Sequence, residues 1–509
     1  MRTKKILLNA ISELIGYVVI SIIAFVKVRV LINNLGSEFN GYYQFINQLL
    51  GYLFIVEAGF GSAVLFKLYK PMAYKQKEKV SAIFNGSITI FRKIGAIIFG
   101  ILILITLFMP LMITNDEYLL VVIASFLIIG ISQSLPYFFY SKSYSILLNS
   151  EQKNYIYSII VNLIKIFVDV GIIIAVILSG NLISVAVILL VGKVIEEIIV
   201  DLICSKIYKW IDRKVNADTS AQKMTKDLIY HRIGDLVVNN VDSIVLMKFL
   251  GPIVVSKYST YNYISMFLDT VITKINSGIV STFGNIFSKE DNNTSYKLFK
   301  EFSIINDVIA FIIPICYILA ARSFIKIWIG QESYIFSYIT IVMFASIIFV
   351  RCLFRQINII TTAKGMFKET KYYAFIVSFT NLFLSLFLIR SHGLTGVLFA
   401  TVFSYIVSLF LRMRLLYNTE FSFANKFKEY RTAVLKITIY IVIVFILYPI
   451  EKIIFLIDLN FISFILLFGF IFLTITTITC LFLYKSSENF KNVLTKLINP
   501  ILNRRKNHE

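Results

Sequence analysis

The sequence predicts an all-α polytopic membrane protein. About fourteen transmembrane helices are expected, as two pseudo-symmetric six-helix lobes around a central cavity plus two C-terminal helices. Three observations carry this. Of the 509 residues 58% are hydrophobic, and apolar runs such as 94–113 and 461–484 reach the ~20 residues that cross a hydrocarbon core of about 30 Å. Basic residues alternate from one loop to the next. One stretch of sequence returns 215 residues further on.

In chain order the apolar runs centre near Ser21, Ile55, Phe99, Ile129, Ile166 and Ile195. They continue near Asn240, Ile272, Pro314, Ile348, Leu382 and Val402, and end near Ile441 and Phe472. The first run starts near Leu14 and is too long and interrupted for a signal peptide. No small-residue cleavage site follows it, so it reads as a retained span. The segments 1–10, 67–82, 141–155, 205–232, 288–301, 363–372, 412–431 and 485–509 hold 34 of the 50 Lys and Arg residues. The intervening loops hold only Lys257, Arg390 and Lys452. Short cytoplasmic loops are the basic ones, so both termini are expected in the cytoplasm. The net charge of +21 is thus a topology signal spread over many loops. Nucleic acid, which would need one basic face, is not expected as a partner.

The repeat is ungapped. Val30, Leu31, Leu35, Gly36, Tyr43, Asn47, Leu53, Val56 and Ser62 recur as Val245, Leu246, Leu250, Gly251, Tyr258, Asn262, Leu268, Val271 and Ser277, nine identities in 33 positions. Six spans per repeat give both halves the same orientation, with a symmetry axis along the membrane normal. The expected domains are an N-terminal lobe over 1–215, a C-terminal lobe over 216–430, helices thirteen and fourteen over 431–485, and a basic tail over 486–509. That tail suits the anionic inner leaflet.

Enzyme signatures are missing. Cys204, Cys316, Cys352 and Cys480 are scattered through apolar runs, and His231, His392 and His508 are equally dispersed, so no disulfide framework, metal or other cofactor is expected. There is no P-loop or H-E-x-x-H pattern, and Gly59-Phe60-Gly61 lacks the third glycine of a dinucleotide site. Small residues there suit close helix packing instead. The outer loops are short, the longest near 451–460, which leaves little room for a catalytic apparatus. Asp116 and Glu117 read as neighbouring, solvent-facing turn residues.

Charge at membrane depth is the distinctive feature. Lys27, Arg29, Glu57, Lys165, Asp169, Asp242, Asp269, Lys274, Asp307, Arg351 and Arg355 all fall within the expected spans. Facing lipid, each central charge would cost ~2.5–3.5 kcal/mol. Together they would exceed the ~5–15 kcal/mol net stability of a typical fold. They must face one another or internal water. Arg351, Arg355, Asn358 and Thr362 form one helical stripe. Asn162, Lys165 and Asp169 form a second; Asp235, Asn239, Asp242 and Leu246 a third; Asn262, Asp269, Thr273 and Asn276 a fourth. Such stripes imply a shared hydrated cavity, where Lys27 and its repeat equivalent Asp242 could pair in one state. Simpler roles suit other charges. Arg29 and Lys248 can snorkel from outer helix ends, and Arg92 and Lys93 can reach the cytoplasmic interface. Lys193, Glu196, Glu197 and Asp201 can pair among themselves, while Tyr137–Tyr140 suit packing.

Leu35-Gly36, Gly41-Tyr42-Tyr43-Gln44 and Glu57-Ala58-Gly59-Phe60-Gly61-Ser62-Ala63 resemble the opening of bacterial polysaccharide flippases. These are Wzx-type members of the multidrug/oligosaccharidyl-lipid/polysaccharide exporter superfamily. Phe324-Ile325-Lys326-Ile327-Trp328-Ile329-Gly330 looks like another segment of that family. The resemblance implies a V-shaped cavity between two lobes, in a bacterial cytoplasmic-membrane protein. It implies transfer of a lipid-linked oligosaccharide from the inner to the outer leaflet by alternating access, with membrane lipids and other polysaccharide-assembly proteins as partners. Cations at depth would meet the lipid pyrophosphate, which here nominates Lys27, Arg29, Lys165, Lys274, Arg351 and Arg355. Glu57, Asp169, Asp242, Asp269 and Asp307 are the candidates for ion coupling or gating. An inside-negative potential would assist outward transfer of an anion by ~2.3 kcal/mol per charge per 100 mV. The alternatives are a cation-coupled drug or small-solute antiporter of the same superfamily and, more distantly, a membrane polysaccharide polymerase or ligase.

Overall fold

Backbone N–H and C=O groups in hydrocarbon need partners within the protein, which favours helices. The computed structural model describes residues 16, 18–53, 57, 59–113, 117–224, 242–289, 292–486 and 490–491, and among them there is no strand. The helices are α1 (Val18–Leu35, its last turn a π-helix), α2 (Ser37–Leu53), α3 (Phe60–Ala73), α4 (Lys77–Met112), α5 (Leu119–Phe138) and α6 (Ser141–Ser150). Next come α7 (Asn154–Ser179), α8 (Leu182–Ile207), α9 (242–250), α10 (Pro252–Lys289) and α11 (Asn292–Ile329). The last are α12 (Tyr338–Ala363), α13 (Phe367–Thr419), α14 (Lys426–Leu456) and α15 (Phe461–Ser486).

This bears out the all-α polytopic class. Among the described residues nine helices are long and apolar enough to cross a membrane. α8 and α10 are also long, at 26 and 38 residues. The 53-residue α13 is two helices meeting at Gly393 (φ 55°, ψ −136°), which accommodates the expected spans near Leu382 and Val402. The second expected span is divided: α2 ends at Leu53, and Gly59 at φ 80° opens α3. The expected centres Ile55 and Asn240 lie outside the described residues.

The chain forms two compact units, Met1–Ser259 and Thr260–Glu509. In the first, α5 packs on α4 and α8, α8 on α7, and α3 on α4 and α6. The segment after α8 is tied to α4. Asn85 Nδ2 donates to the carbonyls of Asp212 (3.1 Å) and Val215 (2.8 Å), and the Asp218 amide donates to that of Ala82 (2.9 Å). Ser220 donates to Asp218 and holds its carboxyl below the usual carboxylate range. The repeat shows in the backbone too. Gly36 (φ 92°) and Gly251 (φ 80°), one repeat apart, take a conformation that favours glycine and open α2 and α10. Just beyond, Asn40 Nδ2 donates to Ser256 Oγ at 2.6 Å. A Cβ on Gly41 would lie 1.9 Å from the Pro252 carbonyl oxygen, so glycine alone permits that contact.

In the second unit α12 packs between α11 and α13, and α11 also carries α14 and α15. α11 and α14 are joined by three ion pairs at one constant sequence separation of 129: Lys300–Glu429, Asp307–Lys436 and Arg322–Glu451. A constant separation means parallel helices in fixed register, and the signs alternate along each. Tyr296 and Tyr417 also donate to Glu429, at 2.8 and 3.0 Å. Arg322 lies 3.9 Å from the centre of the Phe455 ring.

Candidate functional site: intramembrane cations in each unit

On α7 the 3.6-residue period separates two faces. Leu163, Phe167, Val170, Ile174 and Leu178 form an exposed apolar stripe suited to lipid. At about 100° per residue, Asn162, Lys165 and Asp169 point roughly the opposite way. Asp169, only 2% exposed, accepts a hydrogen bond from Lys27 Nζ of α1 at 2.6 Å. Lys165, one turn earlier, is exposed, and among the described residues it has no hydrogen bond or ion pair. A charge exposed on the face opposite the lipid stripe requires water or a counter-ion there. Lys27, Lys165 and Asp169 together carry one more positive charge than negative.

The second unit repeats the motif with guanidinium groups. Between Phe344 and Thr361 of α12 only Arg351, Phe354, Arg355 and Asn358 are not buried. The accessible stripe of this enclosed helix is therefore its polar one. Arg355 Nη2 donates to Asp269 Oδ1 of α10 at 2.6 Å, and the Arg351 guanidinium lies 5.0 Å from the centre of the Tyr405 ring of α13. Arg351 and Arg355 thus stand near one carboxylate, Asp269. Each trio sets two cations around one carboxylate, and Glu196 also acts on Lys165.

The other nominated residues are differently placed. Lys27 meets Asp169, and Asp242 is buried at the start of α9. Asp307 is bound on two sides, by Gln356 Nε2 (2.8 Å) and Lys436 Nζ (2.6 Å). Glu57 accepts from Lys142 Nζ at 2.7 Å and from the Tyr137 hydroxyl. Arg29 is exposed near the end of α1. The side chain of Lys274, and Asp235 and Asn239, lie outside the described residues. Lys193 pairs with Glu196 at 2.6 Å, and Lys248 Nζ donates to the Leu111 carbonyl at 2.5 Å. Lys142, Gln356, Lys436 and Tyr405 were not singled out from sequence, and Tyr137, expected only to pack, also donates to Glu57. Lys436, one charge within an apolar span, carried a usable signal; the others make contacts that only tertiary packing defines. No group of three or more metal-ligating side chains occurs among the described residues.

No protein-family model matches the chain, and comparison with curated proteins gives no match. Solved structures do match. "Lipid II flippase MurJ, inward closed conformation" aligns over 94% of this chain and 99% of its own, with TM-score 0.69 and 15% identity. An inward-facing multidrug resistance MATE family transporter of the MOP superfamily aligns over 78% of this chain and 96% of its own, with TM-score 0.67 and 12% identity. A MOP superfamily transporter from Pyrococcus furiosus aligns over 81% and 96%, with TM-score 0.59 and 14% identity. The chain has the fold of these transporters.

Proposed function

We propose that the chain is a flippase that carries a polyprenyl-pyrophosphate-linked oligosaccharide from the inner to the outer leaflet of a bacterial cytoplasmic membrane, for surface polysaccharide synthesis. The observation that carries this is the exposed or accessible cationic stripe in each unit, Lys27 with Lys165 and Arg351 with Arg355. A pyrophosphate and its sugars are costly to desolvate in hydrocarbon. A hydrated basic face removes much of that cost while the isoprenoid tail stays in lipid. That the same fold serves a protein named as a lipid II flippase adds support. In this reading two six-helix lobes, 1–215 and 216–430, alternate access to the two sides. Asp169 and Asp269 hold the cations in place between cargo loads.

Arg351→Ala/Arg355→Ala should leave the protein in the membrane at normal levels and abolish surface polysaccharide, with lipid-linked units accumulating on the inner leaflet. Normal export at undiminished protein levels would reject the assignment. The MATE multidrug-resistance structures of the same fold favour a second reading, a cation-coupled drug or small-solute antiporter. A deletion strain that keeps its surface polysaccharide but becomes drug-sensitive would establish that one instead.

A further inference from the structure

The bend between α5 and α6 holds one aromatic ring against two arginines. α5 ends at Phe138, Phe139 turns extended (φ −89°, ψ −165°), and Tyr140 occupies the bend before α6. The Arg213 guanidinium lies 4.2 Å from the centre of the Tyr140 ring, and that of Arg92 5.7 Å from it. The two cations are thus within about 10 Å of each other, where like charges beside a protein interior repel. Both are held there. Arg92 Nε donates to the Phe138 carbonyl at 3.4 Å, while Arg213 Nη2 donates to the Tyr144 hydroxyl at 3.2 Å and lies 3.7 Å from Asp201. Arg92 is exposed, and its Nη groups donate to nothing among the described residues.

The level in the membrane matters as much as the geometry. Tyr140 adjoins the segment 141–155 and Arg213 lies in 205–232, both basic loops of the cytoplasmic side. Inner-leaflet head groups lie at that level. A ring-stacked pair of guanidinium forks suits phosphate oxygens, because each fork can donate two parallel hydrogen bonds.

We propose that Arg92 and Arg213, fixed on the Tyr140 ring, bind the pyrophosphate head of a polyprenyl lipid at the cytoplasmic face of the first unit. The identity of that lipid as the cargo rests on the flippase reading; the binding itself does not. The site captures the head group before it reaches the intramembrane cations, and Lys93, exposed beside Arg92, strengthens the local positive potential.

The chain supplies its own reporter. Tyr144 stacks on Tyr208 (6.3 Å between ring centres), and Trp210 meets Tyr208 edge-on (6.1 Å). Trp328 of α11 is the only other tryptophan. In full-length Trp328→Phe protein in nanodiscs, farnesyl pyrophosphate should change Trp210 fluorescence saturably, farnesol should not, and inorganic pyrophosphate should bind more weakly. Arg92→Ala/Arg213→Ala should weaken farnesyl pyrophosphate binding by about tenfold or more. If that pair does not accumulate, Arg92→Lys/Arg213→Lys keeps both charges, loses both forks, and should still bind several-fold more weakly. Unchanged affinity in the variants overturns the proposal, as does inorganic pyrophosphate binding as tightly as the farnesyl compound. Because the readout is binding, failure of the transport reading appears separately, as normal export from the Arg351 and Arg355 variants.

Discussion

At the scale of single residues, Lys27 of α1 and Lys165 of α7 are two lysines placed differently beside the same carboxylate-bearing helix. Lys27 is tied to a carboxylate that is almost wholly buried, with side-chain exposures of 12% and 3% across the pair. Removing one partner of such a pair leaves an uncompensated buried charge, at about 3–5 kcal/mol. Lys27→Met should therefore destabilise the protein by roughly that amount, and Lys27→Met/Asp169→Asn should recover most of it, as read by thermal unfolding in detergent. Lys165, exposed and without an ion-pair partner among the described residues, should behave oppositely. Lys165→Ala should change the unfolding temperature little and reduce export strongly, with Lys165→Arg retaining most export. A large stability loss with export per folded molecule unchanged would make Lys165 a structural residue.

At the scale of elements, the parallel pair α11 and α14 explains how a helix outside the sequence repeat becomes part of the second unit. The three ion pairs alternate in sign, so a shift of α14 by two turns would set Lys436 against Lys300, like charge on like. Register is fixed by repulsion in wrong alignments as well as by attraction in the right one. Glu451→Lys should strand Arg322 beside a second cation and lower the amount of folded protein, and Arg322→Glu/Glu451→Lys should restore it. Failure of the swap to rescue would show that packing against Phe455, not charge, holds the helices. Gly41→Ala tests the other tight junction. Its methyl would meet the Pro252 carbonyl, and the forced shift should cost about 1–3 kcal/mol, visible as a lower unfolding temperature.

At the scale of the whole molecule, the class of fold and the polar stripe of α12 were legible because both are periodic. Loop charge alternates with the membrane, and Arg351, Arg355 and Asn358 recur with the helix, so the accessible stripe of α12 could be read without coordinates. The break between α2 and α3 and the partners of Glu57 and Asp307 could not be, since nothing local in sequence joins Glu57 to Lys142 or Asp307 to Gln356. The Tyr140 clamp was hidden for the same reason: Arg92, Tyr140 and Arg213 lie far apart in the chain. Transport of an anionic head group requires water to reach the cationic stripes inside the membrane. Single cysteines at Lys165 and Asn358, in a chain whose four native cysteines are replaced, can be challenged with a charged, membrane-impermeant thiol reagent. The same reagent should leave cysteines at the lipid-facing positions Leu163 and Phe167 unlabelled. Rapid labelling at 165 and 358 alone is the predicted result; equal protection at all four positions would contradict the account.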